Sequence, residues 1–308
     1  MNYTKENPLR VVTLCSGYDS QCLALERLKR NYPEFDYELI AWSEFDPEMP
    51  KTPLEKQPAV VAHNALFPQW ADRNLGDMTK IDWTKVPDFD LLTYSTPCQS
   101  ISAAGLQHGF EEGSGTRSSI IWFVREAVKI KRPKFCLLEN VKAMVSTKFK
   151  PMFNLWREEL GRLGYTNFAK ILNAKDYGVP QNRERIFLVS VRMDDELPNY
   201  YFPQPFPLLT RLKDVLEDKV DEKYYLSDKM LEYFNRVNDD KSHCHNFNPQ
   251  EGGGGYSLRG EDRPRSESGR NILQVGAINK SQDGKVFSTD GISQCHSAGH
   301  GNCPKIIE

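Results

Sequence analysis

The sequence predicts an α/β protein in which a parallel sheet is covered by helices on both faces. Between residues 9 and 191, short apolar runs alternate with longer amphipathic runs. The apolar runs lack the polar–apolar alternation of half-exposed strands, so they are typical of strands buried on both faces. Such strands separated by helical segments indicate parallel pairing, because each parallel return needs a crossover connection.

The predicted elements follow from these runs in chain order. The strand candidates are LRVVTLC (9–15), YELIAWSE (37–44), FDLLTYS (89–95), KFCLLEN (134–140) and RIFLVSV (185–191). The helix candidates are 19–32, 118–132 and 151–165. In the second helix, Ile120, Val124 and Val128 lie four residues apart and share one face. The third helix begins at Pro151 and ends near Gly164, in the usual order of start and stop residues.

The composition of the chain changes after about residue 195. The segment YYFPQPFPLL is rich in proline, and from residue 241 glycine, serine and asparagine are frequent, as in EGGGGYS. The sequence therefore predicts a main domain over 9–194 and a smaller, less regular region over 195–308.

Composition and charge exclude several classes of protein. Hydrophobic residues make up 39% and charged residues 27% of the chain, as in globular proteins. No apolar run approaches the roughly 20 residues that span a bilayer, and the start MNYTKENPLR lacks a secretory signal pattern. We therefore expect a cytoplasmic protein with no membrane association and with reduced cysteines. The net charge of −2 does not indicate a polyanion partner, although a local basic face would be sufficient for one.

Two clusters of polar residues have alternative interpretations. The cysteines and histidines between residues 242 and 303 have spacings that match no short zinc motif, so we predict no metal site. A basic cluster, either a solvated helix end or a contact for DNA phosphates, comprises Lys129, Lys131, Arg132 and Lys134.

Ligands of parallel α/β sheets bind beyond the carboxyl ends of the strands, and three early segments lie there. In TLCSGYDSQ, Gly17 permits a tight turn before a helix whose first N–H groups can bind a ligand. The segment has one glycine where a dinucleotide fingerprint has three, so an ordinary turn is an equal alternative. Glu44 is either a ribose-binding acid or a solvated strand-end carboxylate. Asp77, in GDMTKID, is expected on the same edge, where it could accept a hydrogen bond from an adenine amino group.

Three later motifs carry reactive groups. Cys98, in TPCQS, follows a predicted strand; a thiolate in an exposed loop is a nucleophile, whereas a buried structural cysteine is the usual alternative. Glu139 emerges with Asn140 from LLENV, and an acid buried beside apolar residues suits a proton donor. Arg183 and Arg185, in QNRER, alternate at a strand start and can hold a carbonyl oxygen or a phosphate, or else are solvated.

In this order and spacing, PCQ, ENV and QNRER resemble the motifs of the DNA (cytosine-5)-methyltransferase family, in its bacterial and phage members. The resemblance covers about 9–191 and extends to about 230. It implies a Rossmann-like sheet of the S-adenosylmethionine-dependent methyltransferases and an enzyme of DNA methylation. A restriction–modification role with a cognate endonuclease, or phage self-protection, is plausible for such a family member.

The resemblance also implies roles for individual residues. S-adenosylmethionine would contact Glu44, Asp77 and the loop after the first strand, which comprises Cys15, Ser16, Gly17, Tyr18, Asp19 and Ser20. A cytosine of duplex DNA would be flipped into the pocket, where Cys98 would attack C6. Glu139 would hold N3 and the exocyclic amine, and Arg185 would contact O2. The remaining residues, which would orient or support the site, are Arg183, Pro97, Gln99 and Asn140.

The chain departs from the family pattern at both ends of the match. Cys15 replaces an aromatic residue, and Asp19 and Ser20 replace glycines, so the ring that packs on the cofactor is missing unless Tyr18 takes its place. The family's closing segments, Arg-Leu-Thr…Gln-Gly-Phe-Pro and Gly-Asn-Ser, are not found by residue 308, and we therefore expect a truncated chain.

Three alternatives to a DNA methyltransferase stay open. One is a truncated or inactive relative that binds DNA without turnover, which the intact Cys98, Glu139 and Arg185 disfavour. The second is an RNA cytosine-5 methyltransferase that uses the same chemistry. The third is a nicotinamide-dependent oxidoreductase, which the lack of a three-glycine turn disfavours.

Overall fold

The computed structural model describes residues 3–98, 100–101, 109–194 and 199–218, together with four short strands farther along the chain. Much of the predicted region 195–308, including its cysteines and histidines, therefore lies outside the described residues. The chain divides into two compact units. The first comprises Met1–Leu172 and Arg185–Phe202, and the second comprises Asn173–Glu184 and Pro203–Glu308.

A six-stranded sheet forms the centre of the first unit. Its strands are β1 Leu9–Leu14, β2 Tyr37–Ser43, β3 Leu91–Tyr94, β4 Phe135–Val141, β5 Tyr165–Asn173 and β7 Glu184–Arg192, in the order β2-β1-β3-β4-β7-β5. Its helices are α1 Ser20–Asn31, α2 Pro58–Leu66, α3 Val124–Lys131 and α4 Lys150–Arg162. All five predicted strands are present, as are the predicted helices 19–32 and 151–165 and the second half of 118–132, and α2 and β5 are additional.

The prediction of an entirely parallel sheet is wrong at β7. Strands β1 to β4 pair in parallel, but β7 pairs antiparallel with β4, with Val141 opposite Arg185. The chain returns from β5 to β7 through the short connection 174–183, which contains no crossover helix. The start of β7 therefore lies at the edge of the sheet where β4 ends.

Helices cover both faces of this sheet, as predicted. Val11 of β1 belongs to the same buried cluster as Cys22 of α1 and Val60 of α2. The next residue, Val12, belongs to a second cluster with Val128 of α3. Successive residues of a strand point to opposite faces, so the two clusters lie on opposite sides of the sheet. This arrangement explains why the strands are apolar on both faces.

The predicted helix over 118–132 is only partly α-helical. Its first turns form the 3-10 helix Arg117–Phe123, and α3 begins only at Val124. Serine hydroxyls in this segment bond to backbone groups, which competes with regular α-helical pairing.

In the second unit, the structure describes residues 173–184 and 203–218 and the backbone of four short strands, β8 to β11. The carbonyl oxygen of Asp176 accepts the backbone N–H of Phe206 at 3.0 Å, and the Tyr177 ring meets the Phe206 ring edge-on. Strand β6 (Gln181–Asn182) pairs in parallel with β10 (Ser293–Gln294). Strands β8 (Gln274–Ala277), β9 (Lys285–Ser288) and β11 (Lys305–Ile307) form a separate sheet in the order β11-β9-β8.

In the described part of the chain, no helix is long and apolar enough to cross a bilayer. Within the same residues, no group of three or more His, Cys, Asp and Glu side chains is placed to hold a metal ion.

Candidate active site

A cavity of about 240 Å³ lies at the carboxyl ends of β1, β2 and β3. Four of the predicted site residues line it, namely Cys15, Glu44, Asp77 and Pro97. Further lining residues include Phe45, Pro47, Met78, Thr79, Arg117 and Ile120. The parallel direction of the first three strands brings these separate loops to one edge, as the sequence predicts.

The turn after β1 and the acid after β2 contact each other directly. Gly17 has a φ of 57°, a conformation that favours glycine, and its backbone N–H donates to Glu44 Oε2 at 2.7 Å. One of the backbone N–H groups that the sequence predicts to bind a ligand therefore donates to Glu44. Burial raises the pKa of Glu44, and the hydrogen bond from Gly17 acts in the opposite direction.

Asp19 is turned into the protein and is not among the residues that line the cavity, so its role as a cofactor contact stays a prediction. It is fully buried in the left-handed conformation at the N-cap of α1, where its carboxylate accepts the N–H of Cys22. The same carboxylate accepts the Thr13 hydroxyl at 2.8 Å and lies 3.6 Å from Nε2 of buried His63. Asp19 thus caps α1 and ties it to β1 through the Thr13 hydroxyl.

The other residues of this turn also lie off the cavity. Ser16 is buried and its hydroxyl bonds to Thr13 and to the carbonyl oxygen of Ser43. Ser20 is exposed at the start of α1, and Tyr18 is 54% exposed. Tyr18 does not line the cavity, and Phe45 is the aromatic residue of the cavity wall.

Two further ionisable groups that line the cavity, the Cys15 thiol and the Asp77 carboxyl, have opposite electrostatic environments. Burial, helped by the carboxylates of Glu44 and Asp77, raises the pKa of the Cys15 thiol, whose sulfur lies 3.4 Å from Sδ of Met78. Cys15 is therefore a neutral packing group. Although burial opposes it, hydrogen bonds from Thr79 and the ion pair with Lys80 hold the pKa of Asp77 below its ordinary value.

Asn74 is a supporting residue that the sequence analysis missed. Its side-chain oxygen accepts the backbone N–H groups of Glu44 at 3.2 Å and of Gly76 at 2.9 Å. It therefore fixes the end of β2 against the loop that carries Asp77. A single asparagine in an irregular segment gives no sequence signal for this role.

Cys98 lies in the loop after β3, one residue beyond the cavity-lining Pro97. The side chain of Asn140 donates to the carbonyl oxygen of Thr96 at 2.9 Å, so β4 holds this loop, as predicted for Asn140. Cys98 is partly buried and packs against the main core cluster, in contrast to the exposed position that its neighbours predict. Gln99 lies outside the described residues.

Glu139 and Arg185 form an ion pair beside this loop, at the carboxyl edge of β4. The distance from Arg185 Nε to Glu139 Oε1 is 3.1 Å, and their side chains are 14% and 26% exposed, respectively. The antiparallel direction of β7 produces this pair, because it brings the first residues of β7 to the last residues of β4. Glu139 therefore has a guanidinium partner, and the apolar surroundings that the sequence analysis assumed are not found.

Arg183 belongs to the second unit, unlike Arg185. Its backbone N–H donates to Oδ1 of Asn173 at 3.0 Å, and its carbonyl oxygen accepts the N–H of Ala174. These bonds close the turn that leads into β7.

The predicted basic cluster lies at the opposite edge of the sheet from Cys98. It spans the end of α3 and the residue before β4, and Lys131 pairs with Asp88 at 3.2 Å. Because β3 and β4 are parallel, the start of β4 is remote from the loop after β3. This position favours the interpretation as a solvated helix end.

A Rossmann-like sheet with a cavity beyond its first strands and an acid after the second strand has the architecture of α/β folds in which ligands bind at the carboxyl ends of the strands. The sequence profile of the C-5 cytosine-specific DNA methylase family matches residues 9–298. The chain belongs to this family, as its motifs predicted.

Individual relatives agree with this assignment. A Type II methyltransferase, M2.ScrFI from Lactococcus lactis subsp. cremoris, is 46% identical over 52% of this chain and 44% of its own length. The orphan methyltransferase M.SPRI from Bacillus phage SPR is 30% identical over 97% of this chain and 66% of its own length. The chain thus spans less than two thirds of either relative. The crystal structure of the S. pombe Dnmt2 methyltransferase shares the fold, with a TM-score of 0.58 at 16% identity, over 96% of this chain and 73% of that one.

Proposed function

We propose that this protein transfers a methyl group from S-adenosylmethionine to C5 of cytosine in duplex DNA, through a flipped-out base and a covalent Cys98 adduct at C6. The observation that carries the proposal is the arrangement at one sheet edge. Cys98 follows Pro97, which lines the cavity. Glu139 of β4 and Arg185 of β7, the next two strands in the sheet, form an ion pair at the same edge. A nucleophile, a donor site and a polar pair for a base edge are thus assembled on one rigid sheet.

The residues of the cavity fit S-adenosylmethionine. Glu44 offers carboxylate oxygens for ribose hydroxyls, and Phe45, Met78 and Ile120 supply an apolar wall suited to adenine. Asp77 lies in the same wall and offers an acceptor for an exocyclic amino group. When bound, S-adenosylmethionine supplies the electrophilic methyl group.

In the proposed reaction, the Cys98 thiolate adds to C6 of the flipped cytosine, which makes C5 nucleophilic. Glu139 accepts from the exocyclic amine and shares a proton with N3, and Arg185 donates to O2, so negative charge that develops on the ring is neutralised at N3 and O2. The ion pair between Glu139 and Arg185 keeps both side chains oriented before the base enters. Methylation of C5 would leave S-adenosylhomocysteine, and loss of the C5 proton to solvent would break the C6–S bond, so that Cys98 leaves as a thiolate and 5-methylcytosine is formed.

We propose that residues 9–194 carry this chemistry and that 195–308 contribute to target recognition. Duplex DNA with a target cytosine is the proposed partner. M2.ScrFI is a Type II methyltransferase, which supports a role beside a cognate restriction endonuclease.

The test measures transfer of labelled methyl from S-adenosylmethionine by the 308-residue chain, with 5-methylcytosine as the analysed product. Mixed-sequence duplex DNA and tRNA compete as substrates. We expect label in DNA, and we expect Cys98→Ala to abolish transfer while DNA binding is kept, since only the nucleophile is lost. Label confined to tRNA would replace DNA by RNA as the substrate. Undiminished transfer by Cys98→Ala would refute the mechanism, and DNA binding without transfer would identify a binding protein.

A further inference from the structure

We propose that Ser118 is a positioning residue for Cys98, an inference that rests on the proposed role of Cys98 as the nucleophile. Ser118 lies in the 3-10 helix Arg117–Phe123 and is 2% exposed. Its hydroxyl donates to the carbonyl oxygen of Pro97 at 2.6 Å and accepts the backbone N–H of Ser100 at 3.3 Å. One buried hydroxyl therefore bonds to the backbone on both sides of Cys98.

This hydroxyl completes a set of bonds to three successive carbonyl groups. The carbonyl oxygen of Thr96 accepts from Asn140, that of Pro97 accepts from Ser118, and that of Cys98 accepts the N–H of Ile101 at 3.0 Å. The proline ring also fixes φ at residue 97. With these peptide planes held, the direction of the Cα–Cβ bond of Cys98 is set.

The segment that carries Ser118 also forms part of the cavity. Arg117 and Ile120 line it together with Pro97, whose carbonyl group Ser118 binds. The bond therefore fixes the nucleophile loop against the wall of the proposed donor site. Alignment of reacting groups to within a fraction of an ångström decides rates in such reactions.

Ser119 offers a matched control one residue away. It is 6% exposed, and its hydroxyl donates at 2.7 Å to the carbonyl oxygen of Thr116, within its own turn. Its hydroxyl bonds locally, whereas that of Ser118 reaches across to the Cys98 loop. Replacement of either serine by alanine removes one buried hydroxyl from the same 3-10 helix.

Single-turnover methyl transfer to duplex DNA provides the first readout. We expect Ser118→Ala to slow transfer about tenfold, the effect of losing one such bond in the transition state. The KM for S-adenosylmethionine should change less than about twofold, because Ser118 does not line the cavity. Ser118→Thr, which keeps the hydroxyl, should recover most of the rate. Ser119→Ala should match wild type.

Amide hydrogen exchange provides the second readout and needs neither donor nor DNA. The amide of Ser100 should exchange at least about tenfold faster in Ser118→Ala than in Ser119→Ala, because only the first variant removes its acceptor. Equal exchange in the two variants, or equal slowing of transfer by both, would overturn the role of Ser118. A wild-type protein that transfers no methyl group but shows the exchange difference would refute the proposed function and leave the positioning contact established.

Discussion

Replacement of Glu44 by glutamine should have opposite effects on ligand binding and on the stability of the free protein. Glu44 directly follows β2, lines the cavity and accepts the N–H of Gly17 at 2.7 Å. Glutamine keeps a carbonyl oxygen for that N–H but removes the negative charge. A hydrogen bond to a charged group contributes about 1.5–3 kcal/mol. If Glu44 accepts the ribose hydroxyls as proposed, loss of its charge should weaken binding of S-adenosylmethionine about 10- to 150-fold.

The same replacement, Glu44→Gln, should increase the stability of the ligand-free protein relative to wild type. Because burial raises the pKa of Glu44 in the folded state, that state binds the proton more tightly than the unfolded state does. The carboxylate therefore costs folding free energy as pH rises from the unfolded pKa, about 4.3, through the folded pKa. Relative to wild type, Glu44→Gln should become more stable over this window and keep its advantage at pH 7.

Two measurements decide between these expectations. Isothermal titration calorimetry gives the Kd for S-adenosylmethionine, and urea unfolding between pH 4 and 7 gives the relative stability. Glu38→Gln is the control, since Glu38 lies on the same strand in a partly exposed pair with Arg73 and off the cavity. It should leave the Kd unchanged and alter stability by less than about 1 kcal/mol. A Kd for Glu44→Gln within twofold of wild type would remove Glu44 from the ligand site, and a relative stability that falls with rising pH would refute burial as the dominant effect.

Two further predictions concern the supports of the sheet. Asn140→Ala should cost about 2 kcal/mol of unfolding free energy, because it leaves a carbonyl group of Thr96 without its buried donor; a shift in the urea midpoint equivalent to less than about 0.5 kcal/mol would contradict this. Hydrogen bonds and charge from Arg10 hold the pKa of Asp90 below its ordinary value, although burial opposes them. Asp90→Asn should therefore be less stable than wild type at pH 7 by at most about 1 kcal/mol. The difference should disappear as pH falls through the folded pKa of Asp90, and a difference that persists at pH 2 would refute this origin.

The core elements of the fold are predictable because their sequences are locally consistent. Strands β1 and β4 are short, apolar and bounded by polar residues, and α4 has Pro151 in its first turn and Gly164 directly after its C-cap. The strand β5 gives no comparable signal. Its residues alternate irregularly between buried and exposed positions, as its place at the edge of the sheet allows. The sequence does not predict the helix α2, because PAVVAHNAL is short and apolar and has no clear helical period.

The sequence by itself determined which polar and reactive side chains lie at the carboxyl edge of the sheet. Cys98 and Glu44 follow buried strands, and this position depends only on local pattern. The family assignment also follows from the order of the motifs along the chain, and the family match confirms it.

Only the tertiary structure decided how these residues are paired and held. The contact of Glu139 with Arg185 depends on the reversed direction of β7, which the apolar pattern of a strand does not encode. Asp19 points inward because its carboxylate caps α1 by accepting the N–H of Cys22. The Ser118 hydroxyl donates to the carbonyl oxygen of Pro97, which is 21 residues away in the sequence. A hydrogen bond between distant segments depends on where the packed core places their backbones, and no local pattern of residues records that position.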